Sequence, residues 1–361
     1  MTLVVDRFTS VDALDRVRSR WNDLYESDPT ASIFLSWEWM IASVSIERNP
    51  WMVLGARDGD SYVAFLPLRF GRFPSRGPAI TRELSLGLSP RVDFAGMLGL
   101  EELDAGVLPA LGREIERLEW DQLIFKNCAD ARIARLANDF VSGGYRLSIA
   151  EPTPCPYVQL PSSWEEYLAT RGRSTRRTIR ARIGKLKSLP GYRLHLACLE
   201  EAESAIDGLL RLRALRWKDG SGESQSVSRE LLKRCYLSGR FQIFAMYHGD
   251  TLMAAQGFFT DRRRRAILGY MIAYDPDYAR YSPGMMLACA SIRCAIREGY
   301  ERFSLSLGAQ SYKVSLATNI EYLTNTIISR RNTRVAVADA GRRAGSCAKR
   351  IARRLLVRSG S

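Results

Sequence analysis

The sequence predicts an α+β protein of two tandem domains with one architecture, each a mixed central sheet flanked by helices. Three observations predict it. Trp51–Ala64 lies without gaps on Phe241–Ala254, and each segment reads as a β-hairpin whose apolar strands flank a Gly-Asp turn. Glu119–Phe125 and Glu301–Leu307 each read as a strand that follows a helix, so the order hairpin, further strand, helix, strand occurs twice. Between the copies, Glu151-Pro152-Thr153-Pro154-Cys155-Pro156 sets three prolines in five positions, which forbids a helix and marks the join. The expected division is therefore 1–150, 151–328 and a basic tail over 329–361.

In the first domain Ser10 is placed to cap a helix whose apolar face is Val11, Leu14, Val17, Trp21 and Leu24. Apolar patterning then predicts strands near 51–56, 62–68, 83–88 and 92–98, helices near 101–117 and 130–142, and a strand near 120–126. In the second domain Trp164 to Leu186 reads as one long helix. A strand at 192–197, helices near 200–217 and 228–238, and the second hairpin follow. Ala266–Ala273 is apolar enough for a central strand, which Tyr274-Asp275-Pro276-Asp277 ends. From Met285 a helix is expected, with Met285, Ala288, Cys289, Ile292 and Ile296 on one face, Arg293 and Arg297 on another, and Gly299 as its C-cap.

A length of 361 residues allows two cores, and 46% hydrophobic with 25% charged residues is the balance of a soluble globular chain. No stretch nears the roughly 18 apolar residues of a spanning helix, and Met1 to Arg7 leads into no secretory apolar run, so a cytoplasmic protein is expected. The seven cysteines form no C-x-x-C pair and only two histidines accompany them, which argues for reduced core thiols and against a metal site. His195 falls on a strand and His248 in a turn, which disfavours Ser-His-Asp or Cys-His chemistry. The net charge of +14 is unevenly spread. Arg171, Arg173, Arg176, Arg177, Arg180, Arg182, Lys185 and Lys187 form a cluster without an acid, and a second concentration lies past Ser329, where Asp339 is the sole acid. Such blocks point to a polyanionic neighbour: tRNA, an anionic membrane surface at the inner face, or a lipid-linked phosphate. In the tail, Ile351, Leu355, Leu356 and Val357 among arginines suit a short helix on anionic lipid.

The chemistry concentrates between Tyr270 and Lys313. Ser282-Pro283-Gly284 occupies a helix start, where Pro283 is pre-set for the first turn and Gly284 admits close backbone approach. First-turn N–H groups are then available to a phosphate or carboxylate, aided by the helix dipole and by Arg280. Tyr274-Asp275-Pro276-Asp277-Tyr278-Ala279-Arg280-Tyr281-Ser282-Pro283-Gly284, followed by Leu307-Gly308-Ala309-Gln310-Ser311-Tyr312-Lys313, resembles the C-terminal half of the FemAB-like, GNAT-type acyltransferases of bacterial envelope and exopolysaccharide loci. The similarity extends through Ser174–Arg180 and Leu215-Arg216-Trp217 to Phe34–Trp39, and is dense from about 160 to 316. It implies a pair of GNAT-like domains and a donor that is either acyl-CoA or aminoacyl-tRNA. Two departures stand out: Ser304 and Ser306 occupy the strand where relatives often carry an acid, and Lys218–Ser224 replaces their glycine- and aromatic-rich acceptor loop.

Transfer from a thioester to an amine needs mainly positioning, since the thioester is already activated. The expected roles are backbone N–H groups near Ile272 and Ala273 for the oxyanion, Tyr312 as acid for the departing thiolate, and Asp275 as base. Arg280, Tyr281, Ser282, Gly284, Met285 and Lys313 are expected around the donor phosphates, and Trp39, Arg216, Trp217, Gln256 and Tyr270 around the acceptor. No tightly bound cofactor is expected; acyl-CoA is a co-substrate. The leading expectation is an N-acyltransferase acting on an amine of a sugar or other envelope precursor. FemX-like aminoacyl transfer from tRNA and a non-catalytic polyanion or membrane adaptor are the alternatives.

Overall fold

The computed structural model describes residues 3–74, 80–89, 92–100, 102–216, 222–332 and 334–336. The chain forms two units: the first takes residues up to Trp37, Glu47–Pro152 and the stretch from Leu323, the second Glu38–Ile46 and Thr153–Tyr322. Boundaries at 150 and 328 miss both exchanged segments, because contiguous patterning cannot show where a strand finds its partner.

The strands are β1 Leu3–Phe8, β2 Trp51–Asp58, β3 Ser61–Pro74, β4 Ile80–Leu86, β5 Leu98–Gly99, β6 Gln122–Cys128, β7 Arg146–Gln159, β8 Tyr192–Leu196, β9 Phe241–His248, β10 Thr251–Asp261, β11 Ala266–Tyr274, β12 Arg302–Ser304 and β13 Asn319–Ser329. The helices are α1 Val11–Asp15, α2 Arg18–Ser27, α3 Trp37–Val44, α4 Val107–Glu116, α5 Ala131–Ser142, α6 Trp164–Ala169, α7 Arg173–Lys187, α8 Ala202–Arg216, α9 Gly222–Leu237, α10 Pro283–Arg297 and α11 Ser311–Leu316.

In the first unit the order is β1-β2-β3-β4-β6-β13, with β5 on β3. Ser10 caps as expected, its Oγ accepting from Ala13 N–H at 3.2 Å, but the helix breaks at Val17 into α1 and α2. Leu14, Trp21 and Leu24 stay buried across the break. The strand expected at 92–98 is reduced to β5 and a bridge at Ala95.

The second unit runs β7-β12-β11-β10-β9-β8. The proline-rich segment, which could not be helix, lies in strand β7. Its prolines alternate, so their missing donors fall on one edge, and there only carbonyls are used: Pro156 O accepts from Leu305 N–H and Pro154 O from Gly308 N–H, both at 2.8 Å. The long helix expected over Trp164 to Leu186 is two, because Gly172 is extended (φ −60°, ψ 151°) and caps α7, while Ser163 Oγ caps α6 through Glu166 N–H at 3.1 Å.

The duplication is visible in the pairing. Both hairpins, β2–β3 and β9–β10, turn on a glycine at nearly one φ, 58° at Gly59 and 57° at Gly249. Each is extended antiparallel by a further strand, β4 or β11, and that strand pairs in parallel with the one after the next long helix, β6 or β12.

Candidate active site

The site begins where β11 outruns its neighbour. Parallel pairing joins only Ala266–Leu268 to Arg302–Ser304, whereas β11 continues to Tyr274. Left-handed backbone at Ser306 (φ 66°) and Gly308 (φ 91°) turns the chain away after β12. Ser304, buried, fixes that turn: its Oγ accepts from Ser306 N–H at 3.3 Å and lies 3.4 Å from Cys155 Sγ.

On the other edge of β11, Asp275 N–H donates to Met253 O at 2.8 Å. Antiparallel ladders alternate, so Ala273 and Met271 also turn their amides to β10, and Ile272 turns its own to the edge β12 has left. Of the two oxyanion donors expected, Ile272 turns its amide away from β10 and Ala273 is engaged in the ladder.

Against this edge stands the first turn of α10. Ser282 sits in the left-handed region (φ 54°, ψ 48°), where its hydroxyl makes no cap. Pro283 has no N–H, and the first intrahelical bond is Met286 N–H to Ser282 O at 3.1 Å. The N–H groups of Gly284 and Met285 consequently have no hydrogen-bond partner among the described residues, although Gly284 is buried. A buried donor of this kind costs about 1–3 kcal/mol unless something outside the chain accepts from it. A Cβ at Gly284 would lie 3.8 Å from both Ile272 Cδ1 and Tyr274 Cδ1, so the helix start packs over these two side chains of β11.

The field around the helix start is positive. Asp275–Tyr281 closes a 3-10 turn ahead of Ser282, with Arg280 stacked on the buried Tyr281 ring at 5.0 Å. From α7, Lys185 lies over the same ring at 5.1 Å, and Arg182 donates to the carbonyl of Arg280. Arg182 and Lys185 belong to the basic cluster, but only the packing of α7 against this turn reveals their place beside the site.

Other expected residues are used differently. Asp275 caps the 3-10 turn, its carboxylate accepting from Asp277 N–H at 3.0 Å. Lys313 is buried, with Nζ on Leu307 O at 2.7 Å; it braces the turn after β12 and does not reach out for phosphate. Gln256 is a core amide, accepting from Ser291 of α10 at 3.1 Å, because a buried amide in an apolar strand must be satisfied internally. Trp39 is buried edge-on to Phe259 at 5.3 Å and Tyr270 at 6.2 Å, so it packs the core instead of meeting an acceptor. Tyr270 shares that aromatic cluster and is half-buried. Tyr312 is half-buried on α11, past the turn that ends β12. Trp217 and the side chain of Arg216 lie outside the described residues.

The equivalent place in the first unit is closed. Beyond the three-residue pairing of β4 with β6, Ala95 pairs in parallel with Cys128 and its N–H donates to Asn127 O at 3.1 Å, so main chain occupies the gap. Gly106, ahead of α4, gives its N–H to Asp104 at 2.8 Å.

Residues 173–314 match the family described as an acetyltransferase (GNAT) domain. No curated protein matches the chain in sequence. Among solved structures the chain is similar to FemX, at 8% identity and TM-score 0.60, over 90% of this chain and 96% of that one. It is similar to a tandem GNAT protein from the clavulanic acid biosynthesis pathway, at 13% identity and TM-score 0.55, over 92% and 100%. A third likeness is to the C-terminal domain of a putative lysylphosphatidylglycerol synthetase from Agrobacterium fabrum, at 13% identity and TM-score 0.53, over 92% and 96%. At such identities the likeness is one of fold.

Proposed function

We propose that this chain, whose residues 173–314 match an acetyltransferase (GNAT) domain and whose fold is similar to that of FemX and a tandem GNAT protein, is a FemAB-like N-acyltransferase. In this reading it moves an acyl group from acyl-CoA to an amine of a sugar or other cell-envelope or polysaccharide precursor. One observation carries the reading: Gly284 and Met285 hold N–H groups with no partner among the described residues, close to a strand that its neighbour has left. The donor's phosphates accept from these amides with Arg280, Arg182 and Lys185 around them, and the thioester lies along β11. The amine attacks the thioester carbon, and Ile272 N–H steadies the tetrahedral oxyanion. The ammonium gives its proton to water, the C–S bond breaks, and the thiolate takes a proton from Tyr312, which recovers one from solvent.

Isothermal titration of the full chain with acetyl-CoA and long-chain acyl-CoA tests the donor. We expect binding to at least one, weakened at least about tenfold by Gly284→Val, whose branched side chain fills the notch. Silence with both thioesters removes the assignment.

A second reading, FemX-like transfer from aminoacyl-tRNA, is favoured by α7. Arg173, Arg177, Arg180 and Lys187 are all exposed and fall at positions that share one helical face. It requires tRNA binding that weakens steeply with salt and is indifferent to CoA.

A further inference from the structure

The outer face of α10 borders a cavity of about 640 Å³, which the acyl-transfer reading leaves unused. Its floor is made of Leu186, Phe244, Met286 and Cys289, all buried. Burial pushes the Cys289 thiol up to about 12, so it stays neutral and the floor is apolar throughout. Interiors are ordinarily close-packed, and a space of this size falls among the volumes that hold small ligands.

The rim differs from the floor. Lys187 of α7 and Arg293 of α10 line it, both exposed and in no ion pair among the described residues. Arg297 adds a third cation, no nearer to Glu298 than 4.0 Å, while Glu165 is the only acid lining the cavity among the described residues. An apolar floor under a cationic rim suits an amphiphile with a negative head. The basic 342–358 segment of this chain would meet like charge there, which removes it as an occupant.

We propose that this groove binds the acyl chain of an anionic amphiphile, with the chain over Leu186, Phe244 and Cys289 and the head on Lys187, Arg293 and Arg297. The site is separate from the donor notch: Met286, Cys289, Ala290, Arg293 and Arg297 share one face of α10, beginning where the first turn ends. It stands whether or not the acyltransferase reading does.

Trp164 lines the groove and serves as reporter. The full chain is titrated with 9,10-dibromostearate, a heavy-atom quencher, and with unbrominated stearate, each below micelle formation. Saturable quenching is expected with the first only, and it should fall sharply in Trp164→Phe while stearate still competes. Ala290→Trp, which fills the groove, should abolish binding, and Arg293→Glu, an exposed change that spares the fold, should weaken it about tenfold. A neutral monoacylglycerol should bind at least about tenfold more weakly. The proposal is overturned by non-saturable quenching, by equal affinity for the neutral lipid, by indifference to Arg293→Glu, or by stoichiometric displacement with free CoA, which would put the chain in the donor notch.

Discussion

Arg132 holds the densest buried charge of the first unit. Its guanidinium meets Asp28 at 2.8 Å and Asp130 at 2.9 Å, and also donates to Met97 O and Thr30 Oγ1. Burial alone would make it easier to deprotonate, but the two carboxylates raise it further above its usual range. Removing the cation leaves two buried acids facing each other. Arg132→Met is expected to lower stability by about 3–5 kcal/mol, read from urea unfolding; a loss under about 1 kcal/mol would mean the acids find water or protons at no cost. None of this was legible, since Asp28 and Arg132 lie a hundred residues apart and no local pattern joins them. Ser10 as a cap was legible, because capping acts on immediate neighbours. Gln256 was not legible as a core amide, since a polar side chain in an apolar run looks the same whether it serves a ligand or bonds inside the core.

Among the elements, α7 shows how a charge pattern divides on folding. Arg171 and Arg176 give their guanidinium groups to backbone carbonyls at Leu316 and Arg171, and Arg182 and Lys185 turn to the Arg280–Tyr281 corner. Arg173, Arg177, Arg180 and Lys187 remain exposed. The triple change Arg173→Glu, Arg177→Glu and Arg180→Glu should leave the melting temperature nearly unchanged, since exposed substitutions usually stay within about 0.5 kcal/mol each. It should also flatten the salt dependence of tRNA binding by roughly two to three in log-log slope; an unchanged slope would take this face out of any polyanion contact. The sequence displayed the cluster, yet eight like charges between 171 and 187 do not say which of them fold inward. It likewise displayed the helix of α10 and the strand of β11, while the early end of β12 stayed hidden, because a left-handed serine at 306 carries no sequence signal.

At the scale of the whole molecule, duplication was readable from the hairpins and their Gly-Asp turns, and the exchange of segments was not. Asp121 fastens the segment that returns to the first unit after β13. Fully buried, it accepts from Arg82 N–H at 2.9 Å and from Asn332 at 2.9 Å, with the Arg82 guanidinium at 3.3 Å. Burial raises its pKa, but the bonds from Arg82 and Asn332 and the Arg82 charge outweigh this and hold it below the usual carboxylate range. A depressed folded-state value contributes stability above the unfolded pKa of about 3.9, lost as pH falls through the folded value. The melting temperature of wild type should therefore fall below about pH 4, and the gap between it and Asp121→Asn, wide at pH 7, should narrow there. A gap constant with pH would show that shape, not charge, is what Asn lacks.

β13 begins in one unit and, from Thr324, hydrogen-bonds along β6 of the other. A protease nick or stop codon near Tyr322 would thus do its harm remotely. It would bare the amides of Gln122–Cys128 and create a sticky margin prone to annealing with other copies. Ending the chain at Tyr322 while keeping the first unit is accordingly a recipe for aggregation.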